Sequence, residues 1–207
     1  MSRIAVIDFE TTGLSPAMGD RATEVAIVLV EDGQVVDRFQ SLMNAGMYIP
    51  AFITALTGIT NAMVAAAPDA DKVMRDANRF VGNAPMVAHN ASFDRRFWQA
   101  ELTHAGEVAT QPFACTMLVA RRLYPQAPSH KLGVLVDYHR LPRTGRAHRA
   151  MADAEMAASL LHQIQNDLRT RHRIATTDHA VLMELQRCAK PAVSAFIALH
   201  AEPAAWN

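Results

Sequence analysis

Apolar residues in the first forty positions fall into three short runs that predict β-strands. The runs cover about 3–9, 24–30 and 34–42 and are rich in valine and isoleucine, which favour strands. The second run is almost wholly apolar, which predicts burial on both faces. Residues 31–33, Glu-Asp-Gly, predict a hairpin turn between the second and third runs. The chain is therefore expected to open with a three-stranded antiparallel meander.

After position 50 the apolar residues recur mainly at helical spacing. One further short strand is predicted at 85–89. The tail from 177 to 200 also carries helical signals, broken at Pro191. Helices are predicted at 51–56, from 68–69 to about 80, 92–104, 116–123, 131–138 and 149–168. Strands first, then strand and helices in alternation, predict an α/β layered domain with a mixed sheet.

Length and composition indicate an ordinary globular protein. The chain has 207 residues, 50% of them hydrophobic and 19% charged, which suits one sizeable domain. We expect that domain at 1–170, with a C-terminal helical extension at 171–207 packed on or beside it. The two cysteines lack CxxC spacing, which favours a reducing, cytoplasmic location. No apolar run approaches the roughly 20 residues of a membrane helix, so no membrane partner is expected.

The formal net charge is zero, which excludes a globally basic nucleic-acid coat. One stretch, 121–149, is locally basic, and Asp137 is its single acid. The sequence leaves two interpretations open, a solvated surface and a rim that faces phosphate groups. The basic residues are Arg121, Arg122, Lys131, Arg140, Arg143, Arg146 and Arg149.

Two acids end the first apolar run. Asp8 and Glu10 are two positions apart, so on a strand they share a face, with Cα atoms roughly 6.6 Å apart. The apolar residues before Asp8 predict a central strand, and ligands of open α/β sheets bind at the ends of such strands. The alternative is a pair of surface acids without a ligand.

A histidine and an acid stand where the long C-terminal helix is predicted to begin. Five residues separate His148 from Asp153, which would place the side chains about 140° apart within one helix. His148 is therefore predicted in the preceding loop or at the cap, with Asp153 inside the helix beside its apolar stripe. A partly buried carboxylate needs a partner. That partner is a cation in one interpretation and Arg149 in the other.

A third acid, Asp94, follows the strand predicted at 85–89. Asp94 could simply favour the dipole of its helix, Asn90 could cap that helix, and Phe93 could belong to the core. Carboxylates that cluster repel one another unless a cation neutralises them, and hard divalent ions prefer oxygen ligands. Together with His148 to handle a proton, the acids predict a metal-dependent phosphodiesterase.

The turn after Glu10 reads Thr11-Thr12-Gly13-Leu14. Gly13 permits a tight turn and close backbone approach. Two interpretations of Leu14 remain open: it folds into the core, or it is exposed and wedges against a nucleobase while main-chain amides hold a phosphate.

Three segments together resemble the exonuclease motifs of the DnaQ-like family, within the DEDD superfamily of 3′–5′ exonucleases. They are residues 6–14, residues 87–94 and the pair His148 and Asp153, and the resemblance extends over about 3–168. With histidine in the third motif, the chain resembles the DEDDh branch in particular. This resemblance implies an RNase H-like fold, with a mixed five-stranded sheet flanked by helices.

The resemblance also implies roles for individual residues. Two Mg²⁺ or Mn²⁺ ions would be held by Asp8, Glu10, Asp94 and Asp153, with Asp8 bridging both ions. His148 would act as the general base towards the attacking water. The substrate would be contacted by Thr11, Thr12, Gly13, Leu14, Asn90 and Phe93.

The favoured function is a 3′–5′ exonuclease that releases nucleoside 5′-monophosphates from the 3′ end of single-stranded DNA, either free-standing or as a proofreading-type subunit of a DNA polymerase. The first alternative is an exoribonuclease that trims RNA or short oligoribonucleotides. The second is a non-catalytic nucleic-acid-binding module, which has no need for mutually repelling carboxylates. That alternative predicts the loss of at least one acid, and all four are present.

Overall fold

A computed structural model describes residues 3–145 and 148–202. Within these residues, five strands form one mixed sheet in the order β3-β2-β1-β4-β5. The central strand β1 pairs antiparallel with β2 and parallel with β4, while β2 pairs antiparallel with β3. The strands are β1 Ile4–Thr11, β2 Ala22–Glu31, β3 Gln34–Leu42, β4 Met86–Ala88 and β5 Phe113–Cys115.

Helices cover both faces of this sheet. Their bounds are α1 Ala51–Thr57, α2 Asn61–Ala65, α3 Ala70–Val81, α4 Ser92–His104, α5 Thr116–Leu123, α6 Leu132–Tyr138, α7 Ala150–Thr170, α8 His179–Leu185 and α9 Val193–His200. Across 3–145 and 148–202, no helix combines the length and apolarity that a bilayer crossing requires. The predicted meander, the mixed five-stranded sheet and the RNase H-like fold class are confirmed.

The structure contains two short elements that the pattern of apolar residues does not predict. Strand β5 has three residues, Phe113–Cys115, and helix α2 has five, Asn61–Ala65. Both are shorter than the windows, about 4–8 residues for alternation and about 11–18 for helical spacing, over which these patterns are recognised. Helix α2 begins instead with a local signal, because the Thr60 side chain accepts a hydrogen bond from the Met63 amide.

Successive side chains of β1 point to opposite faces of the sheet and therefore pack against different helices. Ala5, Ile7 and Phe9 join a core cluster with residues of α3 and α4, such as Met74 and Trp98. Ile4 and Val6 point to the opposite face and join a cluster with residues of α7. Because side chains on a strand alternate with a period of two, Asp8 and Glu10 continue the second series and face α7.

The tail packs against the free edge of β5. The Gln186 side chain accepts a hydrogen bond from the Cys115 amide at 2.7 Å and donates one to the Phe113 carbonyl at 3.3 Å. It therefore covers main-chain groups that an edge strand otherwise leaves open. His179 adds a buried contact of 2.9 Å between its Nε2 and the Met86 carbonyl. The domain boundary at residue 170 stays a prediction.

Candidate active site

Three carboxylates from remote segments meet where β1 ends. Oxygen atoms of Asp8, Glu10 and Asp153 all lie within 4.8 Å of one another. The first two share the face of β1 that meets α7, and Asp153 lies in the first turn of α7. The register between β1 and β2 shifts after Glu10, an irregularity that often re-aims side chains beside active sites.

Asp94 lies beside this group without belonging to it. The residue is 1% exposed, in the first turn of α4, and its negative charge raises the pKa of Asp8. Among the residues that the structure describes, its Oδ1 atom has no hydrogen-bond partner. The helix dipole alone does not satisfy such an atom, since buried polar groups are normally paired. A bound cation would fit this unpaired oxygen and the neighbouring carboxylates.

The electrostatics of the four acids also favour a cation. Burial, and then the charges of the neighbouring carboxylates, raise the pKa of Asp8 well above its usual value and that of Glu10 to about 8. Burial raises the pKa of Asp94 to about 8, although amides of its own residue and of Phe9 oppose the rise. Burial likewise raises the pKa of Asp153, while the His148 amide opposes it. The uncompensated negative charge is therefore costly without a metal ion.

This cost predicts a pH dependence of stability. The folded-state pKa values of Glu10 and Asp94 lie above those of the unfolded chain. The folded protein therefore binds more protons than the unfolded chain at pH 7. Since these protons are lost as pH rises, the metal-free protein should lose stability between pH 7 and pH 9. A pKa difference of one between the two states corresponds to about 1.4 kcal/mol, or about 2–4 °C in melting temperature for a chain of this size. Above pH 7 His89 and His179 contribute little, because burial lowers their folded-state pKa values and the unfolded-state value of about 6.5 also lies below this range.

Thermal melts in a chelator at pH 7 and pH 9, repeated with Mn²⁺, measure this effect. We expect Mn²⁺ to remove most of the loss at pH 9, since a cation stabilises the ionised carboxylates. A metal-free melting temperature that is constant or rises over this range would contradict the electrostatic account of the site.

His148 lies where the sequence predicts it, in the segment just before α7. It is exposed, its φ is 60°, and its amide donates a hydrogen bond of 3.1 Å to Asp153 Oδ2. Arg149 does not pair with Asp153; its guanidinium binds Glu24 at 2.8 Å. The interpretation of Asp153 as the partner of Arg149 is therefore wrong, and its carboxylate is left to the acidic group.

The turn after Glu10 is held by its own threonines. Thr11 Oγ1 donates to the Gly13 carbonyl at 2.6 Å, and Thr12 Oγ1 accepts from the Arg21 amide at 3.0 Å. A Cβ at Gly13 would clash with the carboxylate of Asp20, so any other residue would have to displace the side chain that accepts the Ser15 amide. Leu14 is 78% exposed, and the interpretation that it folds into the core is wrong.

Asn90 and Phe93 flank the start of α4. Asn90 is exposed with a φ of 70°, and its carbonyl, rather than its side chain, accepts the Phe93 amide at 2.9 Å. Ala91 occupies the N-cap position, so the capping interpretation of Asn90 is wrong. Phe93 is half-buried, with its ring centroid 4.9 Å from that of Phe97, which agrees with a place at the margin of the core.

Sequence reasoning missed a buried acid beside the site. Glu24 is 1% exposed and lies opposite Glu10 in the register of β1 and β2. Its carboxylate accepts hydrogen bonds from the Arg149 side chain, the Ala150 amide and the Gln40 side chain. Its one signal in the sequence is that a charged residue stands at the start of an otherwise apolar strand.

Several basic side chains of the stretch 121–149 bind carbonyl or carboxylate groups of the protein. Arg122 donates to the Cys188 and Leu118 carbonyls, and Arg143 pairs with Asp137 at 2.7 Å. With Arg149 bound to Glu24, these three side chains have partners within the protein, and the interpretation as a phosphate-facing rim stays a prediction. Arg146 lies outside the described residues.

The family model described as Exonuclease, RNase_T, matches residues 5–161. The chain therefore belongs to this exonuclease family, and the resemblance to DnaQ-like 3′–5′ exonucleases is confirmed. The matched region begins at β1 and ends within α7, so it contains all four acids and His148.

Three known proteins illustrate the similarity. The PolC-type DNA polymerase III of Bacillus cereus is 38% identical over 164 residues, which are 79% of this chain and 11% of that protein. The 3′–5′ exonuclease DinG of Bacillus subtilis is 37% identical over 168 residues, 81% of this chain and 18% of that protein. The chain thus spans less than a fifth of either relative. The structure of Exonuclease X in complex with 5′ overhanging duplex DNA matches with a TM-score of 0.69 and 29% identity, covering 88% of this chain and 99% of that one.

Proposed function

We propose that the protein is a divalent-metal-dependent 3′–5′ exonuclease that releases nucleoside 5′-monophosphates from the 3′ end of single-stranded DNA. The observation that carries this proposal is the convergence of Asp8, Glu10 and Asp153 within 4.8 Å beside the unpaired buried oxygen of Asp94. An acidic site of this kind repels a phosphodiester unless cations intervene. The proposed cofactors are two Mg²⁺ or Mn²⁺ ions.

In the proposed mechanism the chain supplies ligands, a base and contacts to the substrate. Asp8, Glu10, Asp94 and Asp153 would hold the two ions. When bound, the ions neutralise the charge that develops on the attacking and leaving oxygens. His148, exposed beside the acidic group, accepts the proton of the attacking water.

The turn and the start of α4 are proposed to receive the terminal nucleotides. Thr11, Thr12 and Gly13 hold a turn that presents the exposed Leu14 to a nucleobase. Asn90, just before α4, and Phe93, in its first turn, approach the same end of the sheet. The exposed position of Leu14 supports wedging against an unpaired base, which single strands offer readily.

The names of the relatives support DNA as the substrate. PolC is a DNA polymerase, and Exonuclease X was solved with duplex DNA that has a 5′ overhang. We therefore place single-stranded DNA before RNA, and we place a DNA polymerase before other proteins as a partner.

Oligonucleotides labelled at the 5′ end test the proposal. Single- and double-stranded DNA and RNA of one sequence are incubated with Mg²⁺ or Mn²⁺, and the products are resolved by length. We expect a ladder that shortens from the 3′ end, fastest for single-stranded DNA, and no cleavage in a chelator. An otherwise identical DNA with a blocked 3′ terminus is the control and should stay intact.

The other outcomes separate the alternatives. Faster cleavage of RNA would replace the DNA assignment with an exoribonuclease. Binding of the oligonucleotide with no hydrolysis at high protein concentration would replace the enzyme with a binding module.

A further inference from the structure

The carboxylate of Glu24 is close to the group formed by Asp8, Glu10 and Asp153, but it binds other partners. Glu24 is 1% exposed on β2 and lies opposite Glu10. Its oxygens accept hydrogen bonds from Arg149 Nη2 at 2.8 Å, Arg149 Nε at 3.1 Å and the Ala150 amide at 3.1 Å. Gln40 Nε2 adds a fourth at 2.8 Å. With its oxygens occupied in this way, Glu24 remains outside the group formed by Asp8, Glu10 and Asp153.

These bonds cap α7 from another element of the fold. The N-cap residue of α7 is Arg149, whose side chain makes no capping hydrogen bond. The first amides of a helix lack partners within the helix, and Glu24 supplies one for Ala150 across 126 residues of sequence. The same carboxylate holds the Arg149 side chain, so the start of α7 is attached to β2 at two adjacent residues.

The attached segment carries both His148 and Asp153. His148 directly precedes Arg149 and adopts a φ of 60°, which costs free energy for a residue other than glycine. Its conformation is stabilised by the hydrogen bond from its amide to Asp153 and by the attachment of Arg149 to Glu24. Loss of that attachment would let the base and the acid shift relative to Asp8 and Glu10.

We propose that Glu24 is a positioning residue that places His148 and Asp153 for hydrolysis by capping α7 from strand β2. This inference rests on the proposed exonuclease function. Displacements of about 1 Å in a catalytic group can lower the rate about 10²-fold, and loss of a residue that orients a metal ligand typically costs about 10–100-fold.

The chain contains a matched control for this contact. Glu101, also 1% exposed, accepts a bidentate pair of bonds from Arg21 and another from the Ala22 amide. Each of the two glutamates is thus bound by an arginine side chain and by the amide of the residue that follows that arginine. Glu101 attaches α4 to the start of β2, however, and contacts neither His148 nor Asp153.

The test compares Glu24→Ala and Glu24→Gln with Glu101→Ala. We expect both alanine variants to lower the melting temperature by similar amounts. Only Glu24→Ala should lower kcat, by about 10–100-fold, with KM changed less than about threefold. Glu101→Ala loosens Arg21 beside the Thr12 turn, so its effect should fall on KM. Glu24→Gln keeps an oxygen for the Ala150 amide, so it should recover part of kcat, and it serves as the informative variant if Glu24→Ala does not fold. Equal kcat losses in the two alanine variants, or an unchanged kcat in both Glu24 variants, would overturn the proposal.

Amide hydrogen exchange provides a second measurement that is independent of activity. In the wild type the Ala150 amide should be protected, and Glu24→Ala should accelerate its exchange while Glu24→Gln, which keeps an acceptor oxygen, accelerates it less and Leu168, near the other end of α7, keeps its rate. Unchanged protection of Ala150 would overturn the capping role. If the wild type hydrolyses no oligonucleotide, the proposed function fails, and the exchange experiment still decides whether Glu24 holds α7.

Discussion

Replacing Asp8 with asparagine is expected to abolish hydrolysis and to make the metal-free protein more stable. Asp8 shares a group with Glu10 and Asp153, and the charge of Asp94 also acts on it. An uncharged amide is a weak ligand for the proposed ions, whose stabilisation of the reaction is worth several kcal/mol. We therefore expect kcat to fall by at least about 10³-fold, since about 1.4 kcal/mol corresponds to a factor of ten.

The accompanying gain in stability distinguishes this result from unfolding. Burial and neighbouring acids raise the pKa of Asp8, so its charge destabilises the folded protein at pH 8 when no metal is bound. The asparagine side chain of the variant carries no charge, and the melting temperature in a chelator should rise by about 2–4 °C per kcal/mol gained.

The matched control is Asp37→Asn, the same change on an exposed residue of the edge strand β3, which should alter neither quantity. An Asp8→Asn variant with wild-type kcat would remove Asp8 from the mechanism.

Replacing His148 with asparagine is expected to lower kcat by about 10²–10⁴-fold, the usual contribution of a general base. Asparagine is the suitable replacement because it tolerates the left-handed conformation found at this position, where φ is 60°. His148 is not a member of the three-carboxylate group, so the affinity for Mn²⁺ should be unchanged. Single-turnover rates at saturating Mn²⁺, with Mn²⁺ binding measured separately, check both statements.

His172→Asn provides the control for His148. His172 lies beyond the opposite end of α7, whose 21 residues span about 32 Å. It should keep the wild-type rate. Full activity of His148→Asn would exclude its imidazole as the base and assign proton removal to another group.

The sequence predicts well those parts of the fold that long, regular patterns encode. The apolar runs of β1 and β2 and the apolar stripe of α7 predict bounds within one or two residues of those observed. The alternation along β1 also predicts that Asp8 and Glu10 share a face, and the spacing of His148 and Asp153 predicts where α7 begins. These features depend on residues close together in sequence and on the fixed repeat of side-chain direction in strands and helices. A single sequence is therefore enough to infer them.

Features that depend on distant contacts could not be predicted in this way. Strand β5 forms because its three residues pair with β4, and Arg149 binds Glu24 across 125 residues of sequence. Arg149 is near Asp153 in sequence, which suggests a pair, yet it binds the buried carboxylate of Glu24 on β2. Likewise, no local pattern shows that one oxygen of Asp94 is buried without a partner among the described residues.

The attachment of Gln186 to β5 has a consequence for the order in which the chain folds. Gln186 follows Cys115 by 71 residues, so during synthesis the outer edge of β5 waits for it. At about 5–20 residues per second, this interval lasts roughly 4–14 s. A sheet that formed within that interval would present the unpaired edge of β5 to other chains on the same messenger RNA. Prompt emergence of the tail from the ribosome therefore limits the mispairing of neighbouring nascent polypeptides.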